Sequence, residues 1–74
     1  MKLTYDPKYN VAYIQFREKT GEVDTIRLSG EVLIDIAPDG SVYGVELLNA
    51  NEQLGSSVVV EGAASTPSTI PLQP

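Results

Sequence analysis

The chain has 74 residues, with ten acidic and five basic side chains, a formal net charge of −5, and neither cysteine nor histidine. This length allows one small domain, and the composition excludes disulfides and the Cys/His sites that hold structural zinc. Without histidine the usual base of nucleophilic hydrolases is also missing. We therefore expect a non-enzymatic protein with no catalytic residue, no metal and no cofactor.

Short stretches of alternating apolar and polar residues follow one another along the chain, separated by turn residues. The predicted strands are LTY (3–5), VAYIQF (11–16), VDTIRLS (23–29), EVLIDIA (31–37) and SVYGVELL (41–48). The polar segment REKTGE (17–22) is predicted to be a hairpin loop between the second and third strands. Regularly spaced short strands with tight turns favour an antiparallel meander. The predicted fold class is mainly β, on the margin of α+β, with five strands in one meander.

The turn between the fourth and fifth strands allows two registers. A two-residue turn at Asp39-Gly40 pairs Ile34 with Val45, Val32 with Leu47 and Ile36 with Tyr43, and keeps the apolar residues on one face. A three-residue turn over residues 38–40 with a glycine bulge suits Pro-Asp-Gly better locally, but shifts the register by one. Because burial of a whole apolar face is worth more than the turn preference, we predict the first register.

A short helix near residues 49–54 is predicted after the fifth strand, because Asn49 and Glu52 have the spacing of a capping box. Residues 1–54 then form a small antiparallel β domain. Residues 55–74 contain three prolines and many small residues, and form either a tail or a weak hairpin of SVVVE (57–61) with STIPL (68–72).

One face of the predicted sheet is broad and apolar. Its members are Leu3, Tyr5, Ala12, Ile14, Phe16, Ile26, Leu28, Val32, Ile34, Ile36, Tyr43, Val45 and Leu47. A helix of one or two turns cannot cover such a face, so the tail or a second copy of the sheet has to do so. A homodimer is therefore expected.

The opposite face carries the candidate site residues. On the chosen register Asp35 and Glu46 lie diagonally on this face, close enough to share a water molecule or a cation. Gly44, in mid-strand, marks either a close backbone approach or a place where Tyr13 or Tyr43 lies across the sheet. Tyr13, Asp35, Gly44 and Glu46 are thus the candidate ligand-binding residues.

Charge is unevenly distributed along the chain. All five basic residues precede position 28, whereas residues 28–74 contain six acidic residues and no base. This distribution disfavours nucleic acid and anionic membranes as partners and favours a basic protein or a cation, although it can also serve solubility alone. The candidate partner-binding residues are Glu31, Asp35, Glu46 and Glu52. With no apolar signal core in MKLTYDPKYN and no long apolar run, we expect a soluble, cytoplasmic protein.

Two stretches, MKLTYDPKYNVAYIQF and VLIDIAPDGSVYGVELLNANEQL, resemble a family of small prokaryotic proteins known as domain of unknown function 2283. Its members show M-K-x-x-Y-D, then A-x-Y-I-x-F/L, then V-x-V-D-x-x-x-D-G-x-V-x-G-I-E-I-L-x-A. The resemblance covers about residues 1–54 and includes Asp35, Gly44 and Glu46, to which it assigns no role. It implies a small β-rich fold and an antitoxin-like role beside toxin-like partners.

Three functional hypotheses follow from the sequence, and one of them is a purely structural accessory subunit whose tail, residues 55–74, docks elsewhere. The first is a small protein-interaction module, in its most specific form an antitoxin-like neutraliser of a basic partner. The alternative is a small-molecule or cation-binding domain that uses the outer-face carboxylates.

Overall fold

The computed structural model describes residues 1–60 and 68–73 and contains one five-stranded sheet, one short helix and a two-stranded hairpin. The elements are β1 (Lys2–Asp6), β2 (Val11–Gln15), β3 (Asp24–Ser29), β4 (Val32–Ile36), β5 (Val42–Leu48), α1 (Ala50–Leu54), β6 (Ser57–Val60) and β7 (Ser68–Pro71). The mainly β prediction, with five antiparallel strands and one short helix, is confirmed. Within the described residues no helix is long and apolar enough to cross a membrane.

The strand order of the main sheet is β1-β2-β5-β4-β3. It departs from a sequential meander because β5 lies between β2 and β4, so residues 17–22 are a crossover and the prediction of a hairpin loop there was wrong. The crossover has to pass three inter-strand spacings, roughly 14 Å. The eight residues from 16 to 23 can span about 26 Å when extended, so the chain is long enough for this path.

The β4–β5 hairpin combines both registers considered for it. Val32 pairs with Leu47 and Ile34 with Val45, as predicted, but Ile36 pairs with Val42 instead of Tyr43. At the turn the three-residue form is adopted: the Ala37 amide donates to the Ser41 carbonyl at 2.8 Å and Gly40 has φ 89°.

A bulge at Tyr43 reconciles the two registers. Tyr43 is the extra residue between Val42 and Gly44, its side chain is 4% exposed, and its carbonyl accepts the Phe16 amide at 2.7 Å. The preferred turn and the buried apolar face are both kept because one added residue restores the pairing.

The predicted apolar face exists, but it is covered unevenly. Leu3, Ile14, Val45, Ile34 and Ile26 lie in one row across the five strands. Ala12, in the next row, is fully buried, whereas every residue of edge strand β3 is exposed. The prediction of Phe16, Ile26 and Leu28 as core residues was therefore wrong, since they are 46%, 45% and 63% exposed.

Helix α1 is present where it was predicted, but the capping box is not. Asn49 has φ 51° and makes no side-chain capping bond. The cap comes instead from Asn10 in the β1–β2 turn, whose Oδ1 accepts the Asn51 amide at 3.0 Å and whose carbonyl accepts the Ala50 amide at 2.9 Å. The Tyr5 hydroxyl donates to the same Oδ1 at 2.9 Å, so one side chain joins β1, β2 and the helix.

The hairpin alternative for residues 55–74 is confirmed. Strands β6 and β7 pair antiparallel, with Val58 opposite Ile70 and Pro71 at the end of the second strand. Leu72, just beyond β7, is 1% exposed and its amide donates to the Ser56 carbonyl at 2.8 Å. The segment that follows the hairpin thus contributes a buried side chain. Residues 61–67, which connect β6 and β7 and include Glu61 of the predicted strand, and residue 74 lie outside the described residues.

Candidate functional site on the polar sheet face

The second face of the main sheet, called here the polar face, carries the candidate ligand residues. Gln15, Gly44, Asp35 and Thr25 are paired in one row across β2, β5, β4 and β3. The next row contains Tyr13, Glu46, Leu33 and Arg27. The register therefore places Asp35 and Glu46 diagonally on the same face, as expected from the sequence.

Tyr13 lies across the sheet above Gly44 and reaches Asp35 two strands away. Its hydroxyl donates to Asp35 Oδ2 at 2.9 Å. A Cβ atom added to Gly44 would lie 2.5 Å from the Tyr13 hydroxyl oxygen and 2.6 Å from the carbonyl oxygen of Ile14. Gly44 therefore leaves the space that Tyr13 needs and also marks a close approach of the β2 backbone. Both interpretations of Gly44 are confirmed, and the tyrosine is Tyr13.

Two further side chains contact the Asp35 carboxylate. Thr25 Oγ1 donates to Oδ1 at 2.8 Å, and Lys19 Nζ from the crossover lies 2.8 Å from Oδ2. The Lys19 ammonium also lies 4.9 Å from the centre of the Tyr13 ring, within the range of a cation–π interaction. Tyr13, Lys19, Thr25 and Asp35 are called the Asp35 cluster below.

The pKa shifts of the cluster follow from these contacts. Burial acts to raise the pKa of Asp35, but hydrogen bonds from Lys19, Thr25 and Tyr13 outweigh it and hold that pKa below its usual value. The hydrogen bond to Asp35 raises the pKa of Lys19. Burial, followed by the hydrogen bond to Asp35, raises the pKa of Tyr13. Near neutral pH the cluster is thus a carboxylate, an ammonium and a neutral phenol.

This arrangement is suited to holding charge and poorly suited to moving protons. A general base or nucleophile works best with a pKa near the working pH, and each shift here moves the group away from that range. The Lys19 ammonium lies 2.8 Å from Asp35 Oδ2, so this carboxylate already has a cationic partner. The described residues contain no group of three or more potential metal ligands.

The candidate partner residues are only partly brought together. The Glu31 carbonyl accepts the Leu48 amide at 2.9 Å, which extends the β4–β5 ladder and places Glu31 diagonal to Glu46 on the polar face. Glu46 on β5 is therefore diagonal both to Asp35 on β4 and to Glu31 in the turn before β4. Glu52 is exposed on α1, outside the sheet.

Sequence reasoning missed Lys19 and Thr25. Thr25 follows from the β3–β4 register, in which it is opposite Asp35. Lys19 lies in the crossover, where no periodicity indicates the direction of a side chain. Its position depends on the path of the crossover and therefore on the strand order.

A separate cleft of about 640 Å³ lies between the crossover and the β4–β5 turn. The Arg17 guanidinium stands 5.2 Å from the centre of the Tyr43 ring and 3.9 Å from Asp39 Oδ1. Hydrogen bonds from Ser41, in addition to the Arg17 charge, lower the pKa of Asp39. The Arg17 and Asp39 side chains are 48% and 74% exposed, so their attraction is weak.

Comparison with known proteins agrees with the resemblance in the sequence. No curated protein and no solved structure gives a significant match. The family model described as "Protein of unknown function (DUF2283)" matches residues 2–51. The match extends from β1 into the first turn of α1 and includes Tyr13, Lys19, Thr25, Asp35, Gly44 and Glu46. Since it covers about two thirds of the chain, the protein belongs to the DUF2283 family.

Proposed function

We propose that the protein is a small, non-enzymatic interaction module whose polar face binds a basic protein. The observation that carries the proposal is that Glu31 and Glu46 are diagonal neighbours, beside Asp35, on the polar face. Within the described residues, neither Glu31 nor Glu46 takes part in an ion pair. The carboxylates of Glu46, on β5, and of Glu31, in the turn before β4, thus remain available to a cationic partner.

The distribution of the basic residues supports the same partner chemistry. The chain has no Lys or Arg after Arg27, and Arg17 and Lys19 contact carboxylates of the protein itself. The negative field is therefore weakly opposed on the carboxyl-terminal strands. Such a field accelerates association with a basic protein and selects against acidic ones. In its most specific form, the proposal is that the protein is an antitoxin-like neutraliser of this basic partner. We also propose a cytoplasmic location, which the absence of cysteine favours.

The open edge of the sheet supports self-association. All six residues of β3 are exposed, and Ile26 and Leu28 on this strand are 45% and 63% exposed. Edge strands with free backbone groups and apolar side chains are common sites of strand addition. We propose a homodimer formed through β3. Mass in solution should be that of a dimer, and Leu28→Lys should give a monomer; a monomeric wild-type protein at tens of micromolar would rule out the dimer.

The partner hypothesis is tested by capture from the native host at low and moderate salt. The wild-type protein should retain one recurrent basic protein that is released as salt rises. The double variant Glu31→Gln/Glu46→Gln should lose this protein. The matched control Glu22→Gln/Asp24→Asn removes two exposed charges, one at the end of the crossover and one at the first residue of β3, and should retain the captured protein. Equal capture by the two double variants would show that the polar face is not the binding surface.

A further inference from the structure

Beyond Arg17, which contacts Tyr43 and Asp39, the crossover between β2 and β3 is held to the sheet mainly by one side chain. Residues 17–22 are exposed, and no backbone hydrogen bond of residues 18–22 to the rest of the described chain is present. Among residues 18–22, Lys19 is the one whose side chain pairs with a group of the sheet in the described part of the chain, and this side chain is 42% exposed. Releasing an exposed segment with so few contacts costs less free energy than opening a strand of the sheet.

The site that Lys19 occupies is built on the sheet and does not depend on the crossover. Asp35 is on β4, Tyr13 on β2 and Thr25 on β3, while Gly44 of β5 leaves room for the tyrosine ring. Thr25 orients one carboxylate oxygen and leaves the other, Oδ2, facing the ammonium and the Tyr13 hydroxyl. With Lys19 in place the Asp35 side chain is 13% exposed, and the attraction between the two charges is stronger there than for a fully exposed pair.

These groups are the parts of a receptor for a primary ammonium ion. A carboxylate oxygen lies at 2.8 Å from the nitrogen and an aromatic ring at 4.9 Å, which satisfies both a charge-assisted hydrogen bond and a cation–π interaction. The receptor is rigid and its occupant is on a loop. That combination allows another ammonium group to replace the internal one with little change in the sheet.

We propose that Tyr13, Thr25 and Asp35 form a lysine-binding site that Lys19 fills in the free protein, and that a lysine side chain of the basic partner displaces Lys19. The identity of the displacing group as a partner lysine rests on the proposed function; the receptor itself does not. An internal occupant lowers the apparent affinity for an external ligand by the fraction of time that the site is open. Removing Lys19 should therefore increase the affinity for free ammonium compounds.

The test is a ¹H–¹⁵N NMR titration of Lys19→Met with N-acetyl-lysine N-methylamide. Methionine keeps an unbranched apolar side chain and removes the charge. We expect saturable shifts at the amides of Asp35 and Gly44, with an apparent Kd about 5- to 10-fold lower than in the wild-type protein. The matched control ligand, N-acetyl-norleucine N-methylamide, lacks the ammonium and should give no such shifts. Equal affinity of variant and wild type, or equal shifts with both ligands, would overturn the proposal.

A second variant separates binding from folding. Lys19→Met/Asp35→Asn should lose the shifts, and if that protein does not fold, Lys19→Met/Tyr13→Leu tests the ring and should weaken binding. Retained affinity in a folded double variant would also overturn the proposal. If the probe fails to bind while Glu31 and Glu46 are still needed for partner capture, only the lysine-binding site is wrong. If the probe binds but no basic protein is captured, the proposed function fails and the receptor stands.

Discussion

Replacing Gly44 with alanine tests the account of the polar face most directly. The added Cβ would lie 2.5 Å from the Tyr13 hydroxyl oxygen, 2.7 Å from its Cζ and 2.6 Å from the Ile14 carbonyl oxygen. The first two atoms belong to the Tyr13 side chain, whose hydroxyl is hydrogen-bonded to Asp35, and the third belongs to the backbone of β2. Neither can move without breaking a hydrogen bond or shifting β2, so the substitution is expected to destabilise the protein.

The magnitude follows from three contributions. Overpacking costs about 1–3 kcal/mol. Loss of the Tyr13 hydrogen bond to a charged acceptor costs about 1.5–3 kcal/mol, at the lower end here because Lys19 and Thr25 still bind Asp35. The lower entropy of the unfolded alanine chain returns about 0.5–1 kcal/mol. The net loss is about 2–4 kcal/mol, which for a domain of this size lowers Tm by roughly 10–25 °C.

Thermal and urea unfolding followed by circular dichroism measure this loss. Gly21→Ala and Gly30→Ala are matched controls, because nothing lies within 4 Å of a Cβ at either position and neither backbone is left-handed. Both controls should change stability by less than about 1 kcal/mol.

A double-mutant cycle separates the two obstacles. In a Tyr13→Ala background, Gly44→Ala should meet only the Ile14 carbonyl and cost less, with a coupling energy of about 1–2 kcal/mol. A Gly44→Ala protein within about 0.5 kcal/mol of wild type, or the same loss in both backgrounds, would refute the reasoning that Tyr13 requires this glycine.

Three further predictions concern the cap, the hairpin and the ion pair. In Asn10→Gly, glycine tolerates the φ of 56° at this position, but the part-buried hydrogen bonds of the asparagine side chain are lost, so the free energy of unfolding should fall by about 2–3 kcal/mol. Amide hydrogen exchange in α1 should become faster, and an unchanged exchange rate would contradict this prediction. Leu72→Ala should cost about 2–5 kcal/mol in urea unfolding because the side chain is 1% exposed, whereas Val59→Ala, at 54% exposure, should cost much less. The ion pair of Asp35 with Lys19 should stabilise the fold above the unfolded-state pKa of 3.8, and this stability should be lost as pH falls through the lowered folded-state pKa of Asp35. Asp35→Asn should remove this part of the acid dependence of Tm. Identical curves of Tm against pH for the variant and the wild-type protein would contradict the prediction.

The faces of the strands were predictable, because side chains alternate with a period of two. Leu3, Ile14, Ile26, Ile34 and Val45 share one face in the sequence pattern, and they form one row in the structure. The same pattern placed Asp35 and Glu46 together on the other face. Burial cannot be derived in this way, since Ile26 has the correct face but lies on an uncovered edge strand.

The helix cap shows why local motifs can mislead. Asn49 and Glu52 have capping-box spacing, but Asn49 adopts a left-handed backbone and Asn10 supplies the cap from 41 residues away in sequence. The unpaired amides at the start of a helix accept a cap from a residue near in sequence or from a distant one, provided that its oxygen is within hydrogen-bond reach. Local spacing identifies that a cap is needed and does not identify which residue provides it.

The sequence by itself determined that this is a small, acidic, mainly β protein, because alternation, turn residues and composition act over short distances along the chain. It also determined that Gly44 marks an unusual place in the fifth strand. Only the tertiary structure decided that β5 lies between β2 and β4, that the crossover brings Lys19 onto Asp35, and that Tyr13 lies above Gly44. These features depend on which strands become neighbours, and strand order is decided by the total burial and hydrogen bonding of the whole sheet, which no single segment specifies.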